Sequence, residues 1–228
     1  DDVGALSDFM KTVELEPQND EAYFNCGVIR RRHNDVDGAL ADFSKAIELN
    51  PKGTKFYINR GICWMEKNDL VRAGADFDKA IELDSSQPAA YLNRGILSHR
   101  NGHFVKALVD CTRAIELNPD SGTAYYYRGC ILYDKHLWKE SLADFLVACK
   151  AKHNERLDQS YLRAWLIRAR LNEERVATED LKQFISNRKP QDPEDFVQKL
   201  LSYVVGSLSE ADLLMVSESQ KGEAAHRM

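Results

Sequence analysis

Asparagine stands at Asn25, Asn59 and Asn93, each time two residues before a glycine, and Tyr127 takes the same place once more. An amide offers one acceptor and two donors, which complements the N–H and C=O of an extended peptide. A row of such amides at equal intervals would grip a backbone whatever its side chains. The bland alternative is that the amides bridge helices or face water. A second series sets Arg60, Arg94 and Arg128 directly before the glycines. Asp42, Asp76, Asp110 and Asp144 precede an aromatic residue or its replacement. A planar guanidinium suits a partly buried carboxylate. The expectation is an ion-pair ladder in which Asp42 meets Arg60, Asp76 meets Arg94 and Asp110 meets Arg128. Anion recognition by the arginines is the functional alternative.

No other constellation points to chemistry. His99 and His103 are four residues apart, but Asn101-Gly102 breaks the helix between them and the metalloprotease HExxH pattern is absent. No glycine-rich phosphate loop occurs. The five cysteines, Cys26, Cys63, Cys111, Cys130 and Cys149, include no CxxC pair. They fall in helical patterns, where cysteine packs as a small apolar residue. Glu173-Glu174 has the look of a solvated turn. The chain is therefore expected to be no enzyme and to carry no catalytic residue, metal or cofactor. Free thiols lean towards a reducing, cytoplasmic compartment. The formal net charge of −5 argues against a nucleic-acid partner. No run approaches the ~20 apolar residues of a membrane helix, so this segment is not expected to insert.

The elements that position these residues repeat. Gly27, Gly61, Gly95 and Gly129 recur every 34 residues. Ala39, Ala73, Ala107 and Ser141 keep the same interval, as do Phe43, Phe77, Cys111 and Phe145, and Ala46, Ala80, Ala114 and Ala148. Small residues on facing helices let two backbones approach, and phenylalanine fills the seam. Asn34, Asn68, Gly102 and His136 mark the turn inside each pair; the first three tolerate the left-handed conformation that ends a helix. Pro51 and Pro119 separate repeats, with Ser85 and His153 in their place elsewhere. Tyr23, Tyr57, Tyr91 and Tyr125 recur too and are read as core.

The first helices read EAYFNCG, KFYINRG, AAYLNRG and TAYYYRG, and the second ALADFSKAIELNP, AGADFDKAIELD, ALVDCTRAIELNP and SLADFLVACK. Their period and Gly-Ala-Phe-Ala-Pro order resemble the tetratricopeptide repeat. The resemblance implies an all-α fold, a right-handed superhelical solenoid of antiparallel helix pairs. It also implies that the first (A) helices line a concave groove. Some long arrays of this family, such as that of the glycosyltransferase acting on nuclear proteins, use asparagines at the position of Asn25, Asn59 and Asn93. Phe24, Tyr127 and Trp64, with Tyr126, are candidates for apolar contacts there. The carboxylate clamp of the chaperone-binding subclass is not matched. Its cationic positions hold Phe24 and Val28, Ile58 and Ile62, or Leu92 and Ile96, and Lys55 lies elsewhere.

Residues 1–19 read as a half repeat, with Ala5, Phe9 and Pro17 one period before their counterparts. Its missing A helix implies a truncated chain or an end completed by another protomer. Residues 20–153 hold four tandem repeats. Residues 154–189 form a degenerate fifth hairpin, with helices at 158–170 and 176–186. Residues 190–228 are a non-repeat helical segment leading into a further repeat, with a helix over Glu194–Val205 and a capping box of Ser209 and Asp212. The 190–215 stretch is similar to a bacterial tetratricopeptide lipoprotein adaptor of the new lipoprotein I type, through Tyr203, Gly206, Leu208, Ser209 and Glu210. That resemblance implies an adaptor for proteases or wall hydrolases, homodimerisation and the bacterial envelope, against the compartment the thiols favour. The functional expectation is a scaffold that binds a protein or peptide segment. The alternatives are a self-association module and a non-catalytic targeting part of a larger protein.

Overall fold

The structure is a computed structural model that describes residues 2–152, 154 and 156–187. The segment 190–228, with its helix, capping box and adaptor resemblance, lies outside the described residues, as does His153. Among the described residues every regular element is an α-helix. The chain divides at Pro119 into two compact units.

Unit 1 holds seven helices among its described residues: α1 (Asp2–Leu15), α2 (Asp20–Arg32), α3 (Val36–Leu49), α4 (Thr54–Glu66), α5 (Leu70–Leu83), α6 (Pro88–Arg100) and α7 (Phe104–Leu117). Their starts follow from side chains that accept orphan amides. Asn19 accepts from the Ala22 N–H at 2.9 Å, Asp35 from Gly38 at 2.9 Å and Asp69 from Arg72 at 3.0 Å. Pro88 opens α6, where its missing N–H costs nothing. The turns inside the pairs use positive φ: 64° at Asn34, 60° at Asn68 and 73° at Gly102.

These tight turns fold α2 on α3, α4 on α5 and α6 on α7, while α1 packs on α2, α3 on α4 and α5 on α6. The seam is set by glycine facing phenylalanine. A Cβ on Gly27 would stand 2.7 Å from Phe43 Cε1, and one on Gly61 2.6 Å from Phe77 Cε1. Phe43, Phe77, Ala39 and Ala73 are fully buried. Burying each phenylalanine stabilises by about 1.5–3 kcal/mol. In the third pair Cys111 replaces the ring, and its Sγ would meet a Gly95 Cβ at 2.8 Å. The α1 helix differs, because none of its residues is buried and Val3, Met10 and Leu15 stand exposed.

Unit 2 holds α8 (Gly122–Asp134), α9 (Trp138–Lys150), α10 (Leu157–Arg170) and α11 (Glu174–Asn187). The pair α8/α9 keeps the pattern: Gly129 faces Phe145 and Ser121 caps α8. Ser141, where the other copies have alanine, is fully buried, and its hydroxyl donates to the Gly129 carbonyl at 2.8 Å. His136 takes the left-handed turn at φ 59°, although it is neither glycine nor asparagine. The pair α10/α11 follows at an interval of 36 residues. Asn172 (φ 63°), Ala177, Asp180 and Leu181 stand where His136, Ser141, Asp144 and Phe145 stand one pair earlier. Trp165 then replaces the seam glycine, and its indole N–H donates to Thr178 Oγ1 at 3.2 Å.

Candidate binding faces

The asparagines of unit 1 lie on the A helices α2, α4 and α6, all half-buried. One N–H of Asn59 donates to the Lys55 carbonyl at 2.9 Å, and one of Asn93 to the Ala89 carbonyl at 2.8 Å. Each bond runs one turn back along its own helix and orients the amide. It leaves the Oδ1 acceptor and the second N–H without a partner among the described residues. Asn25 has no side-chain partner among them. Beside the row, Phe24 leans on Phe43 and Phe56, at centroid distances of 5.8 and 5.4 Å. Lys55 stands 4.6 Å above the Phe24 ring while paired to Glu21 at 2.6 Å. Trp64 is not brought to the row. Five residues after Asn59 it has turned about 140° around α4. It packs against the cluster of Ala39, Leu40, Phe43 and Cys63, with Arg72 4.6 Å over its ring.

The ion pairs differ in register from the expected ladder. Asp76 is gripped by Arg60 through Nε and Nη2, at 2.8 and 2.7 Å. Asp110 is gripped by Arg94 in the same way, at 2.9 and 2.8 Å. Asp144 is gripped by Arg128 in unit 2, at 2.7 Å twice. Each fork therefore joins the two helices of one pair, where the expectation had set Asp42 with Arg60, Asp76 with Arg94 and Asp110 with Arg128. The third nitrogen makes the link between repeats: Arg60 Nη1 donates to Ser44 Oγ at 3.3 Å, and Arg94 Nη1 to Asp78 at 2.7 Å. The guanidiniums also lie over the recurrent tyrosines, Arg60 over Tyr57 at 5.7 Å and Arg94 over Tyr91 at 5.6 Å. In the first pair the arginine position holds Cys26, and Arg30 reaches Asp42 instead with a single contact of 2.7 Å. Burial pushes the Asp42 carboxyl up to about 6, against the opposing pull of Arg30. Neither Arg30 nor this exchange stands out from the repeat pattern in the sequence.

Gly74 occupies the position of Leu40, Leu108 and Leu142. The absent leucine opens a cleft of about 490 Å³ in unit 1, bordered by Leu97, His103, Val105, Lys106 and Val109. The thiols are poorly disposed to react as thiolates. Burial pushes Cys63 and Cys149 up to about 12 and raises Cys26 and Cys130. Among the described residues no three His, Cys, Asp or Glu side chains gather to hold a metal, and no helix is long and apolar enough to cross a membrane.

In unit 2, Tyr127 meets Tyr126 edge-on at 5.3 Å, and its hydroxyl accepts from Arg156 Nη2 at 3.2 Å. With the 36-residue interval, the position of Asn25, Asn59, Asn93 and Tyr127 falls on Arg163 of α10. Ala164 then stands in the arginine position, and Arg168 pairs with Asp180, as Arg30 pairs with Asp42.

Helix pairs stacked in tandem, with a glycine–aromatic seam and a left-handed turn, define an α-solenoid repeat protein. Residues 27–88 and 88–121 match family models described as tetratricopeptide repeat, so this part of the chain is similar to that family. No curated protein matches the chain by sequence. Solved structures share the fold. PilW, a widely conserved type IV pilus biogenesis factor, is similar with a TM-score of 0.74 and 22% identity, over 88% of this chain and 91% of PilW. Pseudomonas aeruginosa pilF gives 0.67 and 14% identity over 79% and 82%. YrrB, described as a tetratricopeptide repeat protein with an unusual peptide-binding site, gives 0.57 and 21% over 86% and 97%.

Proposed function

We propose that the chain is a scaffold that binds an extended segment of a partner protein along the A helices and performs no chemistry on it. The observation that carries this reading is the row Asn25, Asn59 and Asn93. Two of its amides are oriented by their own helix and keep an acceptor and a donor to offer. Such groups pair with a peptide backbone and read little of its side-chain sequence. Phe24 offers apolar contact beside the row, and Tyr127 holds the corresponding place in unit 2. Trp64 takes no part, being turned towards the second helices. The peptide-binding site in the name of YrrB supports the reading by analogy of fold. The test is a selection of random linear peptides displayed against the wild-type chain. Binding of the selected peptides is then measured by fluorescence anisotropy with Asn59→Ala/Asn93→Ala. A loss of about tenfold or more is expected from the two amides; unchanged affinity sinks the proposal.

A second reading, self-association, draws on α1, which exposes Val3, Met10 and Leu15 and buries no residue. Light scattering at tens of micromolar decides it, since a monomer at that concentration removes it.

A further inference from the structure

We propose that α10 binds an extended acidic segment of a partner protein, with carboxylates about three residues apart. Arg156, Arg163 and Arg170 follow one another at seven-residue spacing. Seven residues fall about 20° short of two full turns, so Arg163 and Arg170 share one face of α10 about 10.5 Å apart, and Arg156 stands at the N-cap, seven residues before Arg163. Three residues of an extended chain span about 10 Å. A strand with an acidic side chain at every third position therefore matches the arginines one to one.

Each guanidinium is held from one side by an aromatic ring. Arg156 lies 5.9 Å from the Tyr127 centroid, Arg163 5.2 Å from Tyr133 and Arg170 4.9 Å from Trp138. Tyr133 and Trp138 brace each other edge-on at 4.9 Å. Stacking fixes a guanidinium plane and leaves its N–H edges to a ligand. Arg156 spends one donor on the Tyr127 hydroxyl. By the ion pairs of the described residues, none of the three is tied to an aspartate of a facing helix. By contrast, Arg30, Arg60, Arg94, Arg128 and Arg168 each hold an aspartate of the facing helix. An acidic protein segment is favoured over single-stranded nucleic acid because the rings that would stack bases already carry the guanidiniums. Unit 2 alone carries the proposal, so it stands or falls separately from the asparagine row.

The test uses the full chain and labelled Gly/Ser peptides of equal composition, with glutamates either at every third residue or clustered together. Polyuridylate RNA is the competing probe. The spaced peptide is expected to bind more tightly than the clustered one, in a salt-sensitive manner. Binding should fall by about tenfold or more in Arg156→Gln/Arg163→Gln/Arg170→Gln. It should persist in Asn59→Ala/Asn93→Ala. In the wild type, the spaced peptide should shift the Nε–H NMR signals of Arg156, Arg163 and Arg170, which keeps the test decisive if the triple variant does not fold. Equal affinity for both peptides, tighter binding of the RNA, full binding by the folded triple variant or unshifted arginine signals would each overturn the proposal.

Discussion

In unit 1 the guanidinium of Arg94 spends all its edges on protein: two nitrogens on Asp110 and the third on Asp78. In unit 2 Arg163 lies on Tyr133 and has no ion pair among the described residues. Both are arginines of A helices with an aromatic ring beneath them. The difference lies in what faces them. Opposite Arg94 stands Asp110, 5% exposed, so the fork neutralises a carboxylate that burial would otherwise destabilise. Arg163 stands at the asparagine position, one residue before Ala164 in the arginine position, and Asp180 pairs with Arg168 instead. The same residue type is thus a structural tie in one place and an unspent charge in the other.

Removing the charge separates these roles most sharply. Arg94→Met strands Asp110 and Asp78 and is expected to destabilise unit 1 by about 2–3 kcal/mol. Arg163→Met breaks no ion pair among the described residues and loses its ring contact, about 0.5–1 kcal/mol. Urea unfolding of the two variants measures both. Equal losses would erase the distinction between tie and free charge.

The register of the tie was within reach of the sequence. Arg60, Asp76 and Asp42 share one period, so periodicity alone cannot say whether Arg60 turns to the aspartate 18 residues before it or 16 after it. The seam decides: Arg60 precedes Gly61, Asp76 precedes Phe77, and Gly61 touches Phe77. Residues flanking a close contact must face each other across it. The helix pairs themselves were legible because small residue, ring and turn recur together. The face of α10 was not. Its pair is offset by 36 residues, Trp165 replaces the glycine, Leu181 replaces the phenylalanine, and the usual arginine position is Ala164. Arg163 emerges at the asparagine position only once the turn at Asn172 is seen in three dimensions. The exchange of Cys26 for Arg30 was hidden for a related reason, since a substitute one turn along a helix breaks the period while keeping the contact.

Two glycines of unit 1 test the seam against the cleft. Gly61→Ala places a methyl 2.6 Å from fully buried Phe77 and is expected to cost about 1–2 kcal/mol net of the helix propensity it gains. Gly74→Ala places one 3.4 Å from Leu97, an ordinary contact, and is expected to stabilise by about 0.5–1 kcal/mol. Thermal unfolding of the pair measures the signs; like signs would show that backbone entropy, and not the close approach to phenylalanine, governs these positions.

The smallest expected effect lies within the ties themselves. Asp42 has one guanidinium contact where Asp76 has two. Burial raises the Asp42 carboxyl from 3.8 to about 6, Arg30 opposes the rise, and Asp35 adds to it. A carboxyl whose pKa is higher in the folded chain favours folding most when protonated. Its contribution is therefore full below about pH 4 and is lost as pH rises through about 6. Stability of unit 1 should carry a component that declines over this window, and Asp42→Asn, which cannot ionise, should remove that component. Carbon-detected NMR of the Asp42 side chain should show a midpoint near 6. A midpoint near 4 would mean that one contact from Arg30 suffices to hold the carboxylate charged, and that the single and forked ties are electrostatically equivalent.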